Sequence, residues 1–199
     1  MTPKSYRGQL WIIAIVGFAL DQITKYGMFR WLYDPSHEGR REVIDGWFRF
    51  IAQYTEDVPQ TALQAWNGPV LPRVNHGALF GVGGEYQVYA NSFFACVSIG
   101  AAIAIAVWSL RQATTRDRLL CSALGLILAG TLGNLFDRVV FHGVRDFLYF
   151  YWFEWPVFNV ADCFLVCGAG LLLLQAFLTP VDEKKPTSEP QSLVAAAAE

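Results

Sequence analysis

Charged residues are scarce in this sequence of 199 residues, because Asp, Glu, Lys and Arg together make up only 16% of it. A typical soluble domain carries about 25%. Apolar residues make up 54%, and a net charge of −2 provides no basic field that would attract nucleic acid. These values argue against a disordered chain, a nucleic-acid-binding protein and a well-solvated α/β enzyme.

Several catalytic and metal-binding motifs are also missing. The sequence contains no His-Glu-x-x-His, no Gly-x-Ser-x-Gly and no Walker-type phosphate loop. The four cysteines lie in apolar stretches and form no Cys-x-x-Cys pair, so neither a zinc site nor a disulfide framework is predicted. The three histidines are scattered. We therefore expect no metal ion and no other cofactor.

Long apolar runs are abundant, and a membrane-spanning helix needs about 20 mostly apolar residues. Four runs predict an all-α integral membrane protein with transmembrane helices at about residues 10–30, 88–110, 119–137 and 158–178. The residues Asp21–Lys25 do not resemble a small-x-small cleavage site, so the first run is predicted to be an uncleaved helix.

The basic residues beside the runs predict the orientation. They are densest at the N-terminus, in the link between the second and third runs, and in the tail, at Lys4, Arg7, Arg111, Arg116, Arg118, Lys184 and Lys185. Both termini are therefore expected in the cytoplasm, and residues 31–87 outside it. We expect residues 1–181 to form one transmembrane domain, and 182–199 a disordered cytoplasmic tail. The aromatic, β-prone residues Trp47–Ile51 predict a small extracytoplasmic β-element.

Ionisable residues inside the apolar runs are costly and face the bundle interior. Asp21 and Lys25 are four residues apart and share a helix face. A structural ion pair, with Lys25 reaching towards the interface, is favoured there over direct chemistry. Asn134 is followed on the same predicted helix by Asp137 and Arg138. Arg138 is expected to neutralise Asp137.

Asp162 differs because its own predicted helix offers it no basic neighbour, although Asn159 lies three residues before it. A functional role is therefore favoured for Asp162. Asp146 follows Gly143, which permits a tight reversal that brings Asp146 towards Asp162. Two adjacent carboxyl groups would share a proton and serve as general base and acid for amide hydrolysis. Spacing alone leaves this pairing open against a surface-loop Asp146.

Five motifs in order resemble the lipoprotein signal peptidase (signal peptidase II) family over roughly residues 9–178. They are Asp21-Gln22-Ile23-Thr24-Lys25, Asn75-His76-Gly77-Ala78-Leu79-Phe80-Gly81, Gly130-Thr131-Leu132-Gly133-Asn134-Leu135-Phe136-Asp137-Arg138, His142-Gly143-Val144-Arg145-Asp146-Phe147 and Phe158-Asn159-Val160-Ala161-Asp162. Each motif is weak alone, but the five together on four spans are specific.

The resemblance implies an aspartic endopeptidase of the bacterial inner membrane, with its site near the extracytoplasmic face and Asp146 and Asp162 as the catalytic dyad. The site-shaping residues implied are Asn75, Gly77, Asn134, Arg138 and Asn159, and the supporting residues are Asp21, Lys25 and Asp137. The implied substrate is a prolipoprotein whose Cys bears diacylglyceryl, cleaved just before that Cys. Membrane lipids are the other expected partner, and we expect a monomer.

Two departures from the family pattern are visible. The stretch between Lys25 and Asn75 is longer than the resemblance leads us to expect, and Ala129 stands where a second glycine is common. Two other classes remain open from the residues alone. Buried carboxylates and a lysine would also suit a proton-coupled transporter or channel subunit, and inert ion pairs would suit a structural or assembly protein.

Overall fold

The computed structural model describes residues 4–34, 38–77 and 87–178 of the chain. Four of its helices are long and apolar enough to cross a membrane. These are α1 (Arg7–Trp31), α3 (Gln87–Trp108), α5 (Arg118–Val140) and α6 (Val160–Leu178). They confirm the predicted all-α class with four membrane-spanning helices. The predicted tail at 182–199 lies outside the described residues.

Helix α5 is the centre of the bundle, because it packs against α1, α3 and α6. One apolar cluster joins the first turns of α1 to α5 through buried Leu10, Leu124 and Leu128. Ala129 is fully buried where α5 meets α1. A methyl group at Gly17 of α1 would lie 2.6 Å from the Ala129 Cβ. Gly17 thus leaves room for the methyl group of Ala129.

The outward surfaces of the long helices are apolar. Large side chains such as Ile103 of α3 and Val166 and Phe177 of α6 are more than half exposed. A contiguous apolar surface of this kind is unfavourable in water and favourable against lipid. Asp21 and Lys25 of α1 and Asp137 of α5 are by contrast fully buried inside the bundle.

A small antiparallel sheet lies at the end of the bundle where α1 ends and α6 begins. Its strands are β1 (Glu38–Ile44), β2 (Phe48–Gln53) and β3 (Leu148–Phe150), in the order β1-β2-β3. The sheet confirms the predicted β-element. A buried cluster that includes Phe29, Ala52 and Phe147 fixes the end of α1 against it.

Residues 55–74, here called the 55–74 segment, form an ordered loop between β2 and Asn75. It contains the short helix α2 (Ala62–Ala65), whose N-terminus carries a capping box between Thr61 and Gln64. Hydrogen bonds fix the segment to the bundle. The Tyr26 hydroxyl donates to the Leu63 carbonyl at 2.9 Å, and Gln64 Nε2 donates to the Val140 carbonyl at 2.8 Å. Another short helix, α4 (Gln112–Arg116), links α3 to α5.

Gly133 of α5 permits the closest approach to a charged group. A Cβ at this position would lie 2.5 Å from the Asp21 Oδ2 and 3.1 Å from the Ala161 Cβ. Both distances are below ordinary van der Waals contact, and a methyl group would push α1 and α6 away from α5. Gly170 of α6, by contrast, has open space around its Cα.

We predict that Gly133→Ala lowers the free energy of unfolding by about 1–3 kcal/mol, the usual cost of overpacking. Gly170→Ala is the matched control and is expected to leave stability unchanged or slightly raised, since Ala favours helix over Gly. Thermal unfolding of the two purified variants in detergent checks this. Equal melting temperatures would contradict the packing described at Gly133.

Candidate active site

Four fully buried charged residues form an ion network inside the bundle. Lys25 Nζ lies 2.9 Å from Asp21 Oδ2 and 3.4 Å from Asp137 Oδ2. Arg145 Nη2 lies 2.8 Å from Asp137 Oδ1. All four side chains have no exposed surface. The two negative and two positive groups balance each other, which offsets the large cost of removing each from water.

Arg145 is the most extensively bonded member of the ion network. Its Nη1 donates to Asn67 Oδ1 at 2.8 Å, and its Nη2 donates to Gln22 Oε1 at 2.9 Å. Its guanidinium carbon lies 4.1 Å from the ring centroids of both Tyr26 and Phe141. These contacts tie α1, α5 and the 55–74 segment to the residue that precedes Asp146.

Two expectations about the network were wrong. Lys25 does not reach the interface but is fully buried against Asp21 and Asp137. Within the described part of the chain, Asp137 pairs with Lys25 and Arg145 and not with Arg138. Neighbouring residues on a helix point in directions about 100° apart, so Arg138 faces elsewhere. Its Nη1 donates to the Asn134 carbonyl at 3.3 Å, and its guanidinium carbon lies 5.4 Å from the Phe94 ring centroid.

Asp146 follows Arg145 directly and receives hydrogen bonds from two amides. Asn75 Nδ2 donates to its Oδ2 at 3.0 Å, and Asn159 Nδ2 donates to its Oδ1 at 2.6 Å. A backbone pairing between Asn75 and Val144 brings the segment of Asn75 beside Asp146. The reversal after α5 is made at His142, which has a φ of +60°, and not at the Gly143 expected from the sequence. It brings Asp146 to the start of α6.

Asp162 lies in the first turn of α6 and is also held by Asn159. Asn159 and Asp162 exchange hydrogen bonds, since the Asn159 N–H donates to Asp162 Oδ2 and the Asp162 N–H to Asn159 Oδ1, both at 3.1 Å. Asn159 thus caps α6 from just outside it, and is not within the helix as the apolar run predicted. Asn134 Nδ2 donates to Asp162 Oδ1 at 2.8 Å.

Asn134 connects the carboxyl groups to the ion network. Its Oδ1 accepts hydrogen bonds from Lys25 Nζ at 3.1 Å and from Asn159 Nδ2 at 3.2 Å. The residues named from the sequence therefore meet in one continuous polar cluster. Sequence reasoning missed Arg145, Gln22 and Asn67 as members of this cluster. Arg145 and Gln22 lie within the quoted motifs, whereas no signal points to Asn67.

Burial, together with the nearby Asp162, raises the pKa of the Asp146 carboxyl group to about 7. The hydrogen bonds from Asn159 and Asn75 act the other way, because they favour the ionised form. A carboxyl group with a pKa near 7 keeps a proton available near neutral pH, and a second carboxyl group lies beside it. Such a pair can take a proton from water and give one to a leaving nitrogen.

Gly77 fixes the direction of the Asn75 amide. Its φ angle of +90° is one that few other residues adopt, and its N–H donates to Asn75 Oδ1 at 2.9 Å. The Asn75 Nδ2 is then directed to Asp146. A Cβ at Gly77 would also lie 2.5 Å from the Phe94 ring. The rest of this motif, from Ala78 to Gly81, lies outside the described residues.

We predict that Arg145→Met lowers the free energy of unfolding by about 3–5 kcal/mol, because it leaves Asp137 with one cation fewer in a buried place. Arg116→Met is the control, since Arg116 is exposed and bonded to Gln112 on its own short helix. Unfolding by SDS titration of the two variants measures the difference. A cost at Arg145 no larger than at Arg116 would contradict the assignment.

The family model described as signal peptidase (SPase) II matches residues 13–178. Lipoprotein signal peptidases of Yersinia pestis (strain Pestoides F) and Yersinia pseudotuberculosis (serotype O:3, strain YPIII) are each 40% identical over 111 residues. Those residues make up 55% of this chain and 65% of each relative. The match thus spans a little less than two thirds of the length of these curated relatives.

Two solved structures of a bacterial membrane enzyme, at 2.3 Å and 1.9 Å resolution, have the same fold. Each superposes with a TM-score of 0.66 at 26% sequence identity. They cover 96% and 91% of this chain, and 99% of the solved chain in both cases. The family match and these structures confirm the resemblance carried by the five motifs. The chain belongs to the signal peptidase II family.

Proposed function

We propose that this protein is a membrane aspartic endopeptidase that removes the signal peptide from diacylglyceryl-modified prolipoproteins by cleaving before the lipidated Cys. One observation carries the proposal: Asn159 bonds both carboxyl groups at the end of the bundle, donating its Nδ2 to Asp146 Oδ1 and its backbone N–H to Asp162 Oδ2. A carboxyl pair so held is suited to amide hydrolysis by water. Family membership and the curated relatives' printed name support the choice of substrate.

In the proposed mechanism the pair carries a single proton. The ionised carboxylate takes a proton from a water molecule, which attacks the scissile carbonyl carbon. The protonated carboxyl group gives its proton to the leaving amide nitrogen, so the pair is regenerated with one proton. Asp146 and Asp162 are the catalytic residues in this scheme. Asp21, Lys25 and Asp137 are supporting residues that hold the frame.

The carbonyl oxygen that becomes negative needs a hydrogen-bond donor. Asn159 Nδ2 already contacts Asp146 and Asn134, which occupies both of its hydrogens. Asn75 Nδ2 contacts Asp146 and has a second hydrogen for the substrate. Arg138 offers another donor, since its buried Nε has no hydrogen-bond partner within residues 4–34, 38–77 and 87–178. We assign the oxyanion role to Asn75, with Arg138 shaping the site.

The placement in the membrane belongs to the same proposal. Four apolar helices and the bacterial relatives are consistent with a multi-pass bacterial membrane protein. We propose that both termini lie in the cytoplasm and that the carboxyl pair lies near the extracytoplasmic face, where the lipid chains would anchor the substrate. Residues 1–181 would act as one transmembrane domain, in a monomer surrounded by lipid.

Asp146→Asn and Asp162→Asn should each reduce cleavage at least 1,000-fold, on the order of the loss of a general acid–base, without loss of folding. The measurement is release of the signal peptide from a purified diacylglyceryl-modified prolipoprotein in detergent. Asp45→Asn is the control, because Asp45 is exposed in the turn between β1 and β2. Full activity in either dyad variant would overturn the mechanism.

We also predict that cleavage falls as the pH rises through about 7, the pKa to which Asp146 is raised, because the shared proton is then lost. Asn75→Leu removes a hydrogen bond that lowers this pKa. The fall in activity on the alkaline side of the pH profile, here called the alkaline limb, should therefore move to higher pH. The measurement is kcat/KM against pH, each variant normalised to its own maximum.

His76→Gln and His142→Asn are the controls for the pH profile, since imidazoles titrate in the same range. Neither control should move the alkaline limb. The assignment fails if the limb follows a histidine variant, or if Asn75→Leu leaves it in place.

A further inference from the structure

A cavity of about 440 Å³ lies between the 55–74 segment and the residue that caps the end of α5, Phe141. We call it the 55–74 cavity. Its lining includes Asp57, Leu71 and Arg73 of the segment, together with Asn75 and Phe141. Its volume is in the range of ligand-binding pockets. Asn75 is shared with the candidate active site, because its amide bonds Asp146, so one wall of the cavity adjoins Asp146 through Asn75.

A second cavity, of about 290 Å³, lies among α3, α5 and α6 and is called here the helix cavity. It contains Asp162 and Arg138 and is otherwise lined mainly by apolar side chains such as Phe94, Val97 and Leu165. The two cavities thus adjoin different members of the pair, Asp146 through Asn75 on one side and Asp162 on the other. The two halves of a peptide whose scissile bond lies at the pair can therefore each extend towards one of the cavities.

The chemistry of the two cavities distinguishes the two halves of such a peptide. The helix cavity is built from membrane-spanning helices, so it suits the apolar residues of a signal sequence. The 55–74 cavity is built outside those helices and carries two exposed charged residues, Asp57 and Arg73. It therefore suits a polar chain that leaves the membrane.

We propose that the 55–74 cavity binds the residues of the mature lipoprotein that follow the lipidated Cys, and that Asp57 and Arg73 select among charges there. The inference rests on the proposed function, since it names a subsite for that substrate. Asp57 favours a basic side chain in this part of the substrate, and Arg73 favours an acidic one.

The cavity wall is fixed in place, as a selective subsite requires. The Leu71 N–H donates to the Asp57 carbonyl, and the Arg73 N–H donates to the Gln53 carbonyl, both at 2.8 Å. Two hydrogen bonds described above also hold the segment against the bundle. Tyr26 of α1 donates to the segment, and Gln64 of the segment donates to α5. Asp57 and Arg73 therefore project from anchored backbone, and their charges act at defined positions.

The test uses three diacylglyceryl-modified prolipoproteins that differ only in the second to fourth residues after the Cys, which are neutral, basic or acidic. For Asp57→Lys, kcat/KM with the basic substrate should fall roughly 3–10-fold relative to the neutral one, and rise for the acidic one. Arg73→Glu should have the opposite effect. Glu56→Lys is the matched control, because Glu56 is exposed beside Asp57 but does not line the cavity.

The outcomes separate this inference from the proposed function. If the native protein and all variants cleave with the same ratios among the three substrates, the subsite is wrong and the peptidase activity stands. A change in Glu56→Lys as large as in Asp57→Lys would equally overturn it, since it would show a diffuse charge effect. Failure of the native protein to cleave any of the substrates would overturn the proposed function itself.

Discussion

Two carboxylates and two cations meet inside the helix bundle, where each alone would destabilise the fold. Lys25 and Arg145 neutralise Asp21 and Asp137 at distances between 2.8 and 3.4 Å. Their balance is possible only when α1, α5 and the residues before β3 are all in place. The ion network therefore acts as a register for the bundle, because a shift of any one element leaves a buried charge without its partner.

Contacts with this network hold the carboxyl pair in position. Arg145 is held by Asp137 through both its side chain and its backbone N–H, and Asp146 is the next residue. Lys25 bonds Asn134, which in turn bonds Asp162. Each member of the pair is thus one or two contacts away from the buried charges. Groups fixed in this way need little rearrangement when a substrate arrives, which favours catalysis.

Much of this arrangement was accessible from the sequence. Uncharged runs of about 20 residues predict membrane helices because burying a charge in lipid is costly, and the few charges left in those runs indicate the polar interior. The partners of those charges were harder to predict. Asp137 and Arg138 are adjacent, yet Arg145, eight residues away, makes the contact, since the chain reverses after α5. Asn67 joins through the folding of the 55–74 segment, which no local pattern specifies.

A double-mutant cycle between Asp137 and Arg145, read on the free energy of unfolding, tests the central claim most directly. The variants are Asp137→Leu, Arg145→Met and the two combined. If the buried charges depend on one another, the double variant should lose less stability than the sum of the single variants, by about 1–3 kcal/mol. Strict additivity of the two losses of stability would contradict the account, because it would mean that the two residues do not interact energetically.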